Sequence, residues 1–240
     1  MTKDYIKAKS RGYVNMDWLK SFHNFSFANY YDPDRMHFGV LRVLNDDQVA
    51  ASKGFDMHSH KNMEIVSIPL AGGLKHKDSM GNEHVLNVGD VQVMSAGAGI
   101  KHSEFNNSET EFTQFLQIWI LPREQEVAPR YQQISFDSKD RKDVFQEIIS
   151  PVESESALWL HQDAYMHWTD LSKGKSLNYT RKSSENGLYF FVVSGTCTIA
   201  GQTMNTRDAL ALEEIDSVDI SASENSFVLC IEVPMRLPSL

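Results

Sequence analysis

The sequence predicts an all-β fold built from two copies of one β-barrel unit. Three observations carry this expectation. Short apolar runs rich in β-branched and aromatic residues alternate with turn signals along most of the chain. Helical periodicity is nearly absent. The strand pattern of the first half also recurs, loosely, in the second.

Taken in order, WLKSF near residue 20 is a candidate for a single helical turn. FGVLRVL (38–44) and MEIVSIPL read as strands, and the tract KDSMGNE, Lys77 to Glu83, reads as a hairpin turn. Gly81 and Asn82 tolerate the positive φ that such a turn needs. VLNVGDVQVM and FLQIWILP (115–122) complete the first unit. Residues 123–157 carry Pro129, Pro151 and many charges, as a connecting segment should. Within that segment DVFQEIIS (143–150) fits either period. GLYFFVVSG, CTIAG, ALALEE, SVDIS and FVLCIEVP (227–234) form the second unit. FLQIWILP and FVLCIEVP match in their opening Phe, several apolar positions and a closing Pro, and Asp90 aligns with Asp208. The expected division is therefore 1–122, a connecting segment 123–157, and 158–240.

With 240 residues and 41% hydrophobic composition, the chain can bury a substantial core. No apolar run approaches the ~18 residues of a membrane helix. The N-terminal MTKDYIKAKSRGY lacks the apolar stretch of a secretory signal, so a cytoplasmic location is expected. A net charge of −9 with scattered Lys and Arg argues against direct nucleic-acid binding. The two cysteines, Cys197 and Cys230, sit in apolar strand contexts and read as buried free thiols.

The nine histidines contain one pair in strand phase, His58 and His60. Side chains at i and i+2 leave a strand on the same face, about 7 Å apart, close enough for two imidazoles to share one ion. IKHSEF places His102 and Glu104 at the same spacing in a later strand of the same unit, with Gly89, Gly97 and Gly99 before them. Two such pairs would build a site of three nitrogens and one oxygen, suited to Fe(II), Mn, Ni, Cu or Zn and not to a soft thiolate-binding ion. Glu64 shares the parity of His60 and on residue type alone could replace Glu104 as the carboxylate. Phe55, Met57 and Met94 flank these residues and could line an apolar mouth or serve the core.

At these residues the sequence resembles the cupin superfamily. Gly54, His58, His60, Glu64 and Gly72 approximate its first motif, and Gly89, Ser95, Gly97, His102 and Asn106 its second, with altered spacings. GFDMHSHKNMEIV, HKDSMGN, GDVQVMSAGAGIKHSEFN and LQIWILP together resemble the pirin family, especially the bacterial pirin-like quercetin 2,3-dioxygenases, and the likeness covers nearly the whole chain. It implies a bicupin: two double-stranded β-helix (jelly-roll) domains packed face to face, with metal only in the N-terminal one. It places the metal ligands on His58, His60, His102 and Glu104, makes Glu64 a supporting residue, and leaves Ser59 where a proline is usual. By the repeat, the matching positions in the second unit fall near Ser183, Glu185, Val218 and Ile220, which form no ligand set. His23, His37, His84, His161 and His167 are assigned structural roles, and His76 is left open as a residue that could point toward the metal.

The implied activity is a metal-dependent opening of the flavonol heterocycle by O2 with release of CO, acting on a small aromatic substrate. Fe(II) is the first choice of metal, and Glu104 is the group that takes the substrate's hydroxyl proton. The alternative implied by the resemblance is a non-enzymatic, iron-binding regulator acting through a protein partner. A zinc hydrolase fits less well, because four protein ligands usually close a Zn site.

Overall fold

The computed structural model describes residues 2–238. Among them no α-helix forms, and two short 3-10 turns, Ala8–Ser10 and Ser138–Arg141, are the only helical segments. No helix is long and apolar enough to cross a membrane. The strands of the first half are β1 (Thr2–Ile6), β2 (Gly12–Asn15), β3 (Leu19–His23), β4 (Leu41–Val49), β5 (Gly54–His60), β6 (Glu64–Ala71), β7 (Gly73–Asp78), β8 (Glu83–Asn87), β9 (Asp90–Ser95), β10 (Ile100–Asn106) and β11 (Thr113–Ile120). Those of the second half are β12 (Arg130–Ser135), β13 (Gln146–Ser150), β14 (Leu158–Trp159), β15 (Tyr165–Leu171), β16 (Ser176–Thr180), β17 (Asn186–Ser194), β18 (Thr196–Ile199), β19 (Gln202–Asn205), β20 (Ala209–Glu213), β21 (Ser217–Ala222) and β22 (Ser226–Pro234).

Each unit pairs a seven-stranded sheet with a four-stranded one. The first has the orders β12-β9-β6-β11-β4-β3-β2 and β5-β10-β7-β8; the second has β1-β20-β17-β22-β15-β13-β14 and β16-β21-β18-β19. The two large sheets face each other. Val66, Ile68, Val93, Leu116 and Ile118 from one meet Met166, Trp168, Tyr189, Phe191 and Ile231 from the other in one buried cluster. This is the expected bicupin. The period of two explains why FLQIWI reads as unbroken: Leu116 and Ile118 face the other unit, while Phe115 and Trp119 face their own barrel. Burying both faces is what makes the run continuous.

The units also trade strands. β1 pairs with β20, seating the N-terminus on the second sheet. Within 123–157, β12 extends the first sheet through β9, and β13 extends the second through β15. Asp46, 3% exposed, accepts from Arg11 at 3.3 Å and from Arg207 at 2.9 Å, tying the N-terminal segment and the second unit to β4.

Two local expectations need comment. WLKSF forms no helical turn: Leu19, Ser21 and His23 are buried in alternation on β3 and pair with β4, so strand period prevails. The end of DVFQEIIS is strand β13. The KDSMGNE turn joins β7 to β8, with Gly81 at φ 94°. Cys197 and Cys230 are buried free thiols.

Candidate metal centre

The interior of the first barrel is layered. Leu19, Val49, Leu74, Leu86 and Phe115 close one end, with Trp18 and Phe55 against them. Ile65, Met94, Ala96 and Ile100 line the other end, with Met63 and Trp119. Between them runs a polar band. Directly opposed on successive strands stand Gln133, Gln92, Ser67, Gln117, Asn45 and His23. Each is an inward polar member of its strand, and five of the six are buried.

The histidines meet this band from the small sheet. β5 and β10 pair with His58 opposite His102 and His60 opposite Ile100. Beyond His58 the register slips, so that Phe55 stands opposite Glu104, leaving one extra residue on β5. This bulge flips parity, so Phe55 and His58 both face inward while Met57 is half exposed outside. Gly54 makes the pairing possible: a Cβ there would collide with the Glu104 carbonyl oxygen and Phe105 Cα.

Three imidazoles converge as a result. One ring nitrogen from each of His58, His60 and His102 lies within 4.8 Å of the others, and the ring centroids are 4.4 to 4.9 Å apart. His58 Nδ1 donates to the Asp56 carbonyl at 2.7 Å, which leaves Nε2 for a cation. Burial, with His58 beside it, pushes His60 down to about 4; burial, with His58, His60 and His76 nearby, pushes His102 down to about 2. His60 and His102 therefore each keep a lone pair at neutral pH. His102 is 1% exposed, and neither of its nitrogens has a protein partner. Such a group is costly unless something satisfies it, and a divalent ion would take the lone pair of one of the two nitrogens. The donor set fits a borderline transition metal.

Glu104 adjoins this triad through His102 without joining it. Its carboxylate groups with His102 and His76, again within 4.8 Å. Gln117 Nε2 donates to Glu104 Oε2 at 2.7 Å, and Ser67 Oγ lies 3.1 Å from Oε1. Burial, with Asp47 nearby, raises Glu104 to about 7. Glu64 faces the other way: it accepts from Ser95 Oγ at 2.7 Å and from the backbone of His161 in the second unit. Met94 is fully buried in the layer on the groove side, whereas Phe55 belongs to the closed end. The mouth opens into a groove of about 540 Å³ bounded by Ser59, His60, Lys61, Ser79, Ile100 and Lys101.

In the second unit the counterpart is filled. Val218 stands opposite Tyr179, as His102 stands opposite His58, and both join an apolar interior with Ile220, Phe190 and Cys230. Ser183 and Glu185, which the repeat aligned with His58 and His60, fall in the turn between β16 and β17.

Ser67, Gln92, Gln117, Trp119 and Asp47 were not identified from the sequence. Asp47, fully buried, accepts from Ser21 Oγ, whose other partner is His23 Nε2 at 2.7 Å. Burial raises Asp47 to about 7, Ser21 opposes this, and Asp46 adds to it; Glu104 is the other nearby acid. A folded-state pKa above the unfolded value means that the native chain binds the extra proton. Stability is then full below about pH 4 and falls as pH rises toward 7, by up to ~1.4 kcal/mol per unit. Asp47→Asn should flatten this loss. The check is thermal unfolding of metal-free protein at pH 5, 6, 7 and 8.

The family model Pirin matches residues 6–120, and the model for the quercetinase C-terminal cupin domain matches 147–233. The chain belongs to the pirin family. A quercetin 2,3-dioxygenase of Escherichia coli (strain K12) is 43% identical over 229 residues, 95% of this chain and 97% of that protein. The crystal structure of the bacterial pirin YhhW from Escherichia coli in complex with nickel(II) superposes at TM-score 0.92 with 40% identity, covering 99% of this chain and all of that one. A quercetin 2,3-dioxygenase from Acinetobacter baumannii, at 20% identity and TM-score 0.73 over 97% of this chain and 86% of its own, shares the fold. A pirin relative therefore holds a divalent metal, and this pirin presents His/Glu groups able to hold one.

Proposed function

We propose that this pirin is a metal-dependent flavonol dioxygenase of the cytosol that opens the heterocycle of quercetin-like substrates with O2 and releases CO. The observation that carries the reading is the convergence of three imidazoles, two of them held neutral by burial, beside an open groove of about 540 Å³. The names of the relatives support the substrate class.

His58, His60 and His102 would hold the ion, and Glu104, beside His102, would supply the fourth donor. A bound divalent ion supplies Lewis acidity to the substrate's 3-hydroxyl and redox chemistry toward O2; Fe(II) leads, with Mn, Ni, Cu and Zn as the other members of the class. Glu104 takes the hydroxyl proton onto a carboxylate that Ser67 and Gln117 keep in place. Trp119, edge-on to His60 at 4.9 Å, and Ile100 orient the flat substrate, with the buried Met94 behind them. Lys101 at the rim favours an ionised phenol. Both atoms of O2 enter the opened product, and one substrate carbon leaves as CO.

The test is quercetin consumption and CO release by protein reconstituted anaerobically with each metal. CO formation should track bound metal and fall at least about a hundredfold in His58→Ala, as loss of an ion-holding group requires. No turnover of several flavonols at full metal occupancy would refute the reading.

A further inference from the structure

The triad His76, His102 and Glu104 lies deeper in the barrel than the mouth triad and shares only His102 with it. His76 is 0% exposed, His102 1% and Glu104 2%, so this triad is closed to solvent, whereas His58 and His60 are partly exposed. The surroundings of His76 are those of a metal-binding histidine. Its Nε2 lies 3.2 Å from Asp78 Oδ2. Asp78 also accepts from Met80 N at 2.9 Å, Asn82 N at 3.0 Å and Asn82 Nδ2 at 2.8 Å. So many donors keep Asp78 an acceptor, and the proton of His76 is fixed on Nε2. The free lone pair is then on Nδ1, which is buried and has no partner. A carboxylate behind one imidazole nitrogen, with the other bare, is the arrangement that aims and strengthens a metal ligand. Tyr131 packs against the His76 ring at 4.8 Å with the ring planes tilted by 30°.

We infer that the barrel contains a second, inner position for a divalent transition metal, made by His76 Nδ1, His102 and Glu104 and overlapping the mouth position through His102. Two imidazoles and a carboxylate suit Co(II), Ni(II), Zn(II) or Fe(II). Glu104 would lend its negative charge to an ion at either position, and all three inner donors are buried. Because His102 is shared, one ion is held at a time, and His76 sets how much of it stands at the mouth. The inference rests on the reading that the barrel holds a divalent ion and is independent of the flavonol reaction.

The test is Co(II) uptake, followed by equilibrium dialysis and by the rise in unfolding temperature on adding Co(II). His58→Ala/His60→Ala removes the mouth and should still bind about one equivalent. Adding His76→Gln to that background should weaken binding by about a hundredfold or more. His76→Gln alone should still bind one equivalent at the mouth, which also shows that the substituted barrel folds. A folded double variant that takes up no Co(II), or a triple variant that binds as tightly as the double, would overturn the inner position. Absence of quercetin turnover in the native chain would leave these metal counts unchanged, so the two readings fail separately.

Discussion

His102→Leu should give a chain that is at least as stable as the native one without metal, yet gains nothing when metal is added. Both nitrogens of His102 are buried without a protein partner, and burial beside His58, His60 and His76 keeps the ring neutral. The apo protein thus carries two desolvated polar atoms, each costing about 1–3 kcal/mol when left unmet. Leucine is close in volume, meets Ile100 and Met94 at the rim, and removes that cost. At roughly 2–4 °C per kcal/mol for a chain of this size, the metal-free unfolding temperature should hold or rise by several degrees. The increment from saturating Ni(II) should vanish, since His102 belongs to both triads, and turnover should vanish with it. Thermal unfolding of both proteins with and without Ni(II) settles the matter. A metal-free variant several degrees less stable than the native chain would show that the imidazole is satisfied within the protein, and that the case for a cation there is wrong.

Much of this site was legible in the sequence because strand period makes it so. His58 with His60, and His102 with Glu104, are in-phase pairs, and adjacency of β5 and β10 was enough to bring them together. What was not legible depends on how one strand is placed against another. The β5 bulge turns Phe55 inward, and nothing in GFDMHSH marks it. Glu64 shares parity with His60 on paper, but the chain reverses between β5 and β6 and sends it toward the second unit. Ser67, Gln92 and Gln117 left a faint signal. Each is the single polar residue inside an apolar run (EIVSIPL, DVQVM, FLQIWI), and a polar residue there marks an inward polar position in the strand. Their lateral alignment into one band is a matter of register, which a single sequence does not carry. The seating of β1 on the second sheet escaped for the same reason: pairing across about 200 residues leaves no local trace.

The second barrel poses the opposite problem, and the opposite result is expected from Glu232→Leu. Glu232 is fully buried like His102, but every donor around it is aimed at its carboxylate. Lys182 N and Ser183 N donate to it at 2.8 and 3.0 Å, Asn186 Nδ2 at 3.0 Å, and Tyr179 OH at 2.9 Å. These bonds pin the turn from β16 to β17 and lock the tyrosine that occupies the place of His58. Leucine would strand four donors in a dry interior, at about 1–3 kcal/mol each before relaxation. A net loss of about 4 kcal/mol or more is expected, and a fall of roughly 10 °C in unfolding temperature. Glu232→Gln should fall between, since its oxygen still accepts while its amide faces other donors. Metal uptake by the folded Gln variant should match the native chain, because no residue of this cluster belongs to either triad. The two barrels thus hold buried polar groups on contrary terms. In the second, the protein itself completes every bond and stability depends on the group. In the first, the bonds are left for a cation, and stability improves when the group is removed. A Glu232→Leu chain as stable as the native one would erase that contrast, and with it the reason for reading bare nitrogens in the first barrel as a site.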